Sequence, residues 1–402
     1  MRFLILTFLS ISLLCCNAQP KATTESSIND LLDRAKARLD VSDYTDVNEI
    51  LQLVQTRLDS NTPPDTRYYY HKVKGMCMFE MRNIPEAQKH FEVALEISEK
   101  LNDSLMIAHV NSELGKTYTL QGAYGVALEH YEKSLSYFPE MDDSYTSTLM
   151  NMSLTYKGLN QYDKALSVLA KGKPYYEGIG NYKSLGILEN NIGEIYRDNI
   201  KDLDQAKAHY HRAIAANKKA NSEAGLAQNY HNLAAMFLEL EKTDSALHYA
   251  KLSMGIKEKL GDEGGIASAS YILADVYFQQ GDYTGAISSF EKSLMLSKKF
   301  QLMEGIYYNS VKLGKIYQKQ GDLNKSEGYF LNAREVAEGS EDLHIIGSSY
   351  NHLYELYKDK GDFQNALIYN EKLKAIGDSI AELKAAQNLD ELRTQYESYL
   401  AN

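Results

Sequence analysis

The chain repeats one short pattern along most of its 402 residues. A small residue is followed three positions later by an aromatic residue and about twelve positions later by an alanine. Successive copies lie 38 to 41 residues apart, and the small and aromatic residues of six of them are Gly115 and Tyr118, Ser153 and Tyr156, Gly193 and Tyr196, Ala234 and Phe237, Ala274 and Tyr277, and Gly314 and Tyr317. A period of this size predicts an array of stacked supersecondary units rather than a compact enzyme domain.

Each copy is predicted to form two helices, here named helix A and helix B, joined by a tight turn. In the copy around Gly115, apolar residues recur at helical spacing over 104–121 and again over 124–138. Gly122 can supply the left-handed conformation that ends helix A, and Pro139 ends helix B. The small residue and the alanine allow the two helices to approach closely. Each pair still has an apolar face that only the next pair can cover, so the pairs are expected to stack.

One copy carries the residues by which a known family is recognised, namely Leu114, Gly115, Tyr118, Ala127, Tyr131 and Pro139. This pattern resembles the tetratricopeptide repeat (TPR) family, and it recurs in phase eight times from Gly75 to Tyr354. The copies are roughly six residues longer than the usual repeat of about 34. They are similar to the long-helix variants of kinesin light chains and of bacterial peptide-sensing regulators. The resemblance implies an all-α fold: a right-handed superhelical solenoid of antiparallel helix pairs.

The pattern divides the chain into four segments. Residues 1–18 are predicted to be a signal peptide, and residues 19–64 a degenerate N-terminal repeat with a linker. Residues 65–376 are predicted to hold the array of eight repeats, and residues 377–402 a C-terminal capping helix.

The N-terminus predicts export. Arg2 is followed by about a dozen mostly apolar residues, and the small residue Ala18 suits cleavage by a signal peptidase. Alternatively, Cys16 is lipidated and anchors the protein to a membrane. In either case the protein is expected outside the cytoplasm, periplasmic or secreted. No other stretch approaches 18 apolar residues, so no membrane span is expected after signal removal.

Composition and motifs argue against several kinds of chemistry. A net charge of −11 disfavours a nucleic acid partner, because phosphate backbones are repelled. Neither a metalloprotease motif, a phosphate-binding loop nor a hydrolase nucleophile motif is present. His209 and His211 are two residues apart, which places them on different faces of a helix, and Cys77 falls between core positions. The sequence therefore predicts no catalytic activity, no metal site and no cofactor.

The resemblance also implies a binding surface. In TPR proteins, the face of helix A opposite its core stripe lines an inner, concave groove, where asparagines and basic residues hold the backbone or carboxylates of a partner. By phase, the matching residues here are Asn151, Lys157, Asn190, Asn191, Glu194, Arg197, Gln228, His231 and Asn232. Asparagine amides suit this role because they both donate and accept hydrogen bonds. Alternatively, these asparagines stay solvated or bridge neighbouring helices.

These observations predict a non-catalytic scaffold of the cell envelope that binds a protein or a peptide in its concave groove. An alternative comes from residues 378–397, which resemble the end of the TPR sensor region in envelope histidine kinases and helix-turn-helix regulators. On that interpretation, the chain is the periplasmic sensor region of such a receptor, without its membrane span and output domain. The oligomeric state and the identity of the partner are left open.

Overall fold

The computed structural model of the protein describes residues 27–39, 44–340 and 342–401. Helices account for the secondary structure of these residues, and no strand occurs among them, so the fold is all-α as predicted. The described residues form two compact units, which divide between Tyr175 and Tyr176. The predicted signal peptide, residues 1–18, and the alternative lipidation site Cys16 lie outside the described residues.

The first unit contains seven complete helices and most of an eighth among its described residues. In chain order these are α1 (Ile28–Leu39), α2 (Tyr44–Arg57), α3 (Pro64–Glu80), α4 (Ile84–Leu101), α5 (Ser104–Leu120), α6 (Tyr124–Tyr137), α7 (Asp143–Gly158) and α8 (Tyr162–Ile179), whose last residues belong to the second unit. Leu31 of α1, Leu51 of α2 and Val73 of α3 share one buried core. The segment predicted as a degenerate repeat thus contains a helix pair that packs on the first regular copy.

The second unit continues the same alternation of helix A and helix B. Its helices are α9 (Tyr182–Glu194), α10 (Leu203–Lys219), α11 (Glu223–Glu239), α12 (Thr243–Leu260), α13 (Glu263–Gln279), α14 (Tyr283–Lys299), α15 (Met303–Lys319), α16 (Leu323–Glu338), α17 (Leu343–Asp359) and α18 (Phe363–Ala401). In both units, successive helices A and B pack as antiparallel pairs, for example α5 with α6 and α13 with α14, as the repeat pattern predicts.

In the copies whose small residue is a glycine, this residue makes room for a ring on helix B. A Cβ added to Gly115 of α5 would lie 2.5 Å from the ring of Tyr131 on α6. Tyr131 follows the buried Ala127 by one helical turn, so ring and alanine lie on the same face. The repeated pattern is therefore a packing rule: an aromatic ring of helix B fills the space that the small residue of helix A leaves free.

The turns between the paired helices follow the predicted signals. Gly281 and Gly321 have φ angles of 79° and 80°, which a residue with a side chain rarely adopts. The next residues, Asp282 and Asp322, accept hydrogen bonds from the first-turn backbone amides of α14 and α16, at 2.9 and 3.1 Å. Local chemistry thus ends helix A and starts helix B.

The fourth copy carries one extra residue, which the sequence predicts in its turn. In the structure α9 instead continues as a π-helix, Ile195–Ile200, which takes up the extra residue. Lys201 then has the left-handed φ of 64° that glycine has in other copies. The insertion therefore widens the last turn of helix A and leaves the following helix α10 in phase.

The C-terminal segment differs from the predicted layout. Residues 377–401, predicted within a separate capping helix, continue α18 without a break, so one helix of 39 residues runs from Phe363 to Ala401. Gly377 remains helical, whereas Gly361 in the preceding turn has a φ of 69°. No helix of the described residues is long and apolar enough to cross a membrane.

Candidate functional site

A network of buried amides joins α9 and α11 in the second unit. Asn190 Oδ1 on α9 accepts hydrogen bonds from Asn229 Nδ2 and Asn232 Nδ2 on α11, each at 2.8 Å. All three asparagines are buried. Asn190 and Asn232, both predicted to face a partner, thus bridge two neighbouring helices, which is the alternative that the sequence left open.

Glu194 and Gln228 extend this network towards solvent. The carboxylate of Glu194 accepts from Asn190 Nδ2 at 2.9 Å and from Asn232 Nδ2 at 3.1 Å. Gln228 Nε2 donates to Asn232 Oδ1 at 3.2 Å, and the Gln228 residue itself is exposed. The structure therefore brings four of the predicted site residues into one hydrogen-bonded cluster, with an amide at its open side.

Arg197 is held against the same cluster. Its guanidinium forms two hydrogen bonds with the carboxylate of Asp198, at 2.5 and 3.1 Å, and a longer one of 3.4 Å with the carbonyl of Asn232. The side chain is largely buried. The positive charge of Arg197 is thus already paired, and its contacts stabilise the π-helical end of α9.

Sequence reasoning missed the inner part of the network. Asn217 of α10 donates to Asn229 Oδ1 at 2.7 Å, and its own Oδ1 is buried without a hydrogen-bond partner. Two glycines make room for Asn217: a Cβ on Gly186 or Gly225 would lie 2.6 or 2.4 Å from its amide. The sequence could have indicated Asn229 as a member of the network, because it lies three residues before Asn232 and therefore on the same helix face.

A cavity of about 570 Å³ opens beside the network, between α11, α13, α14 and α15. Its apolar walls come from Ala267, Tyr271, Ile272, Leu302, Met303 and Tyr308, and its polar groups from His231, Ser268, Ser293, Ser297, Glu304 and Asn309. Met303 and Tyr308 are 56% and 41% exposed, so large apolar side chains stand at the mouth. This combination of apolar walls with a few polar groups is typical of ligand pockets.

His231 lines the cavity as a neutral ring. Burial and, after it, the nearby cations Lys257 and Arg197 lower the pKa of His231 from 6.5 to about 3. Its Nδ1 is buried and has no hydrogen-bond partner among the described residues. At neutral pH the imidazole is therefore uncharged and offers one N–H donor and one bare nitrogen.

The cavity lies on the predicted face of helix A, but further along the array than predicted. His231 and Tyr271 occupy the repeat position of Asn190. Ile272 occupies the next position, which is that of Asn191 and Asn232. Ile272 is apolar at this position, and it forms a wall of the cavity. The sequence does contain a sign of this cavity: the first turns of α13 and α15 each have a glycine, Gly264 and Gly305, and both glycines line the cavity.

The other predicted residues lie apart from this cluster. Asn191 is half-buried on α9. Asn151 and Lys157 belong to α7 in the first unit, where Asn151 lines a separate polar cavity of about 180 Å³ with Ser112 and Thr148. Lys157 is half-buried near the end of α7.

Family comparison agrees with the helical pairs and their spacing. One family model described as tetratricopeptide repeat matches residues 66–140 and 184–259, and a second model with the same description matches residues 267–300. The chain is a tetratricopeptide repeat protein. A comparison with curated proteins gives no significant match.

Solved structures support the TPR fold along most of the chain. The apo form of the quorum sensor NprR from B. thuringiensis superposes with a TM-score of 0.60 at 15% identity, covering 87% of this chain and 98% of that one. Aspartyl phosphate phosphatase F from Bacillus subtilis gives 0.56 at 16% identity, with 78% and 94% covered. A Rap protein complexed with competence and sporulation factor gives 0.54 at 16% identity, with 88% and 98% covered. At this level of identity the likeness concerns the fold.

Proposed function

We propose that this TPR protein is a non-catalytic scaffold that binds a peptide, or an extended segment of a partner protein, on the helix A face of its second unit. The observation that carries the proposal is the cavity between α11, α13 and α15, with Met303 and Tyr308 exposed at its mouth. An apolar side chain of the ligand fills the cavity. The exposed amide of Gln228 lies one helical turn from His231 and can bind the ligand backbone.

The amide network has a supporting role in this proposal. Asn190 and Asn232 are occupied by each other and by Glu194. Such a network fixes the spacing of α9 and α11 and so presents a rigid edge to the ligand. A likeness in fold to a Rap protein that was solved in complex with competence and sporulation factor supports a binding role for the array.

The side chains at the site support binding rather than catalysis. A general acid or base works best with a pKa near the working pH, whereas the pKa of His231 is about 3. Arg197 is paired with Asp198, and Glu194 accepts two amide hydrogen bonds. His231 is therefore not poised for proton transfer near pH 7.

We also propose that the protein is exported to the cell envelope, on the strength of residues 1–18. Mass spectrometry of protein expressed in a Gram-negative host tests this. A mature N-terminus at Gln19 supports cleavage after Ala18, and a diacylglyceryl adduct on Cys16 supports the lipid anchor. Unprocessed protein starting at Met1 would contradict both forms of export.

A second candidate function is the sensor region of an envelope receptor. The observation that favours it is α18, which continues as one helix from the last repeat to Ala401. A helix of this kind can transmit a change in the array to a following segment. Finding the chain in one polypeptide with a membrane span and an output domain in native extracts would support this function over a free-standing scaffold.

The binding function is tested with a peptide array followed by fluorescence anisotropy on the peptides that bind. Gly264→Leu should weaken binding about tenfold or more, because the new side chain occupies the cavity. The nearest atom to a Cβ at Gly264 is 3.8 Å away, so the variant should fold normally. The matched control is Gly328→Leu on α16, where nothing lies within 4 Å of the added Cβ. Equal affinities of both variants and the unchanged protein would place the binding site elsewhere.

A further inference from the structure

We propose that His71 of α3 and His90 of α4 form a binding site for a divalent transition-metal ion of the kind that imidazole ligands prefer, such as Zn²⁺ or Cu²⁺. The site lies in the first unit and does not depend on the proposed peptide-binding function. The motifs of the sequence predicted no metal site, because the two histidines are 19 residues apart and belong to no metal-binding motif. The packing of helix A against helix B brings them together.

The first observation is the distance between the two rings. His71 Nδ1 and His90 Nδ1 lie 2.9 Å apart, and the ring centroids lie 5.1 Å apart. Two imidazole nitrogens bound to one tetrahedral Zn²⁺, each at about 2.0–2.1 Å, lie about 3.3 Å from each other. A small rotation of the two rings therefore makes room for the ion and leaves the helices in place.

The second observation is a comparison with the equivalent residues of other copies. His130 Nδ1 lies 2.9 Å from Asn111 Oδ1, and His209 Nδ1 lies 2.6 Å from Glu189 Oε2. In both copies the histidine of helix B meets a side-chain oxygen on helix A. The packing of a copy therefore accepts an oxygen at the position of His71, and a second nitrogen ligand there distinguishes the first copy from these two.

The third observation is the protonation of the pair. Burial and, after it, His90 and Arg67 lower the pKa of His71 from 6.5 to about 4. Burial and, after it, Lys74 lower the pKa of His90. Both imidazoles are therefore neutral at pH 7, which is the form that binds metals. When each ring carries its one proton on Nε2, both Nδ1 lone pairs are free for the ion.

The charges around the pair allow a cation to bind. Glu86 lies one helical turn before His90 on the same face of α4, and its carboxylate raises the pKa of His90. Lys74 donates to Asn48 Oδ1 at 3.1 Å. The side chain of Lys89 is 71% exposed, so solvent screens its charge. These cations reduce the affinity of the site, while the carboxylate of Glu86 opposes their effect.

Two protein ligands imply a site of moderate affinity. No group of three or more His, Cys, Asp or Glu residues that could hold a metal occurs in the described part of the chain. Water molecules therefore take the remaining positions around the ion. Because His71 belongs to helix A and His90 to helix B of one copy, a bound ion links the two helices and stabilises their pairing.

Isothermal titration of the untagged full chain with Zn²⁺ tests the proposal. His71→Asn reproduces the pairing of Asn111 with His130, so this variant should fold normally. It should bind Zn²⁺ at least about tenfold more weakly, since the loss of an outer-shell partner alone costs about 10- to 100-fold in metal affinity. The matched control is His130→Gln, which removes the histidine equivalent to His90 from the next copy and should leave Zn²⁺ binding unchanged.

Electron paramagnetic resonance with one equivalent of Cu²⁺ identifies the ligands in the unchanged protein. The spectrum should show coupling to two imidazole nitrogens, and the spectrum of His71→Asn should show coupling to one at most. Thermal shift gives a third readout. Zn²⁺ should raise the melting temperature of the unchanged protein and of His130→Gln more than that of His71→Asn, because an ion that binds the folded chain stabilises it.

Three outcomes would overturn the proposal. They are equal Zn²⁺ affinity of His71→Asn and the unchanged protein, loss of Zn²⁺ binding in His130→Gln as well as in His71→Asn, and coupling of Cu²⁺ to fewer than two imidazole nitrogens in the unchanged protein. The last outcome does not depend on how any variant folds. None of these results bears on peptide binding, which is tested separately by Gly264→Leu in the second unit.

Discussion

The ring of Tyr210 on α10 fills the space that a side chain on Gly193 of α9 would need. A Cβ added to Gly193 would lie 2.7 Å from Tyr210 Cε1, and Tyr210 is fully buried. The same relationship joins Gly75 with Phe91 and Gly314 with Phe330. The pairing of a small residue on helix A with a ring on helix B is therefore a property of the array and not of one copy.

Gly193→Leu should destabilise the fourth copy, because the leucine overpacks the space taken by Tyr210. The expected loss in the free energy of unfolding is about 1–3 kcal/mol. The control is Gly255→Leu on α12, where nothing lies within 4 Å of the added Cβ. That change should be neutral or gain up to about 1 kcal/mol from helix propensity. Urea denaturation followed by circular dichroism measures both, and equal midpoints would contradict the packing relationship.

Asn232→Ala should destabilise the protein by about 1–3 kcal/mol, because it leaves buried polar partners unpaired. The amide of Asn232 donates to Asn190 Oδ1 and to Glu194, so its removal affects both. Asn191→Ala on the adjacent half-buried position should change stability by no more than about 0.5 kcal/mol. Differential scanning calorimetry compares the two variants. Unchanged melting of Asn232→Ala would show that the network does not contribute to folding.

The helices could be predicted from the sequence because their limits are set locally. Gly281 and Asp282 end one helix and begin the next through their own backbone and side-chain chemistry. The π-helical end of α9 was harder to predict. An extra residue near Asp198 can lengthen a turn or widen a helix, and the choice depends on contacts such as that of Arg197 with Asn232.

The candidate site could be predicted only in part. The position of a residue within the repeat indicates which face of the helix it lies on, but not which side chain it contacts. Asn190 and Asn232 lie on the predicted face, but whether each amide meets water or another amide depends on the neighbouring copy. Gly264 and Gly305 line the cavity, and a search for motifs does not detect a site that is formed partly by the absence of side chains.

Deleting residues 342–402 should leave the remaining copies of the second unit folded. Each repeat contacts its neighbours, so stability is close to a sum of local terms. The deletion removes α17 and α18 and uncovers Phe330, which shares a core with Leu353 and Leu356. The helical signal per residue should therefore be kept while solubility decreases. Complete loss of helix on truncation would contradict a locally stabilised array.

His352 should make stability depend on pH below about 6.5. Its ring stacks on Phe330 with centroids 5.2 Å apart, and burial, together with Lys315, lowers its pKa from 6.5 to about 4. Between pH 6.5 and 4 the unfolded chain binds a proton at this residue that the folded chain does not. The free energy of unfolding therefore decreases as the pH falls through this window, and above it the effect is absent.

His352→Leu should reduce the loss of stability between pH 7.5 and pH 4.5, because leucine does not titrate. The contribution of His352 to the free energy of unfolding changes by less than about 1.4 kcal/mol per pH unit, since the ring is partly exposed and its charge is screened. His344→Leu at an exposed position of the same helix is the control and should follow the unchanged protein. Urea midpoints at four pH values between these limits measure the effect. His71 and His231, whose pKa values burial lowers to about 4 and about 3, keep part of the pH dependence in both variants. Parallel pH profiles for His352→Leu and His344→Leu would show that the half-buried ring of His352 takes up its proton without loss of stability.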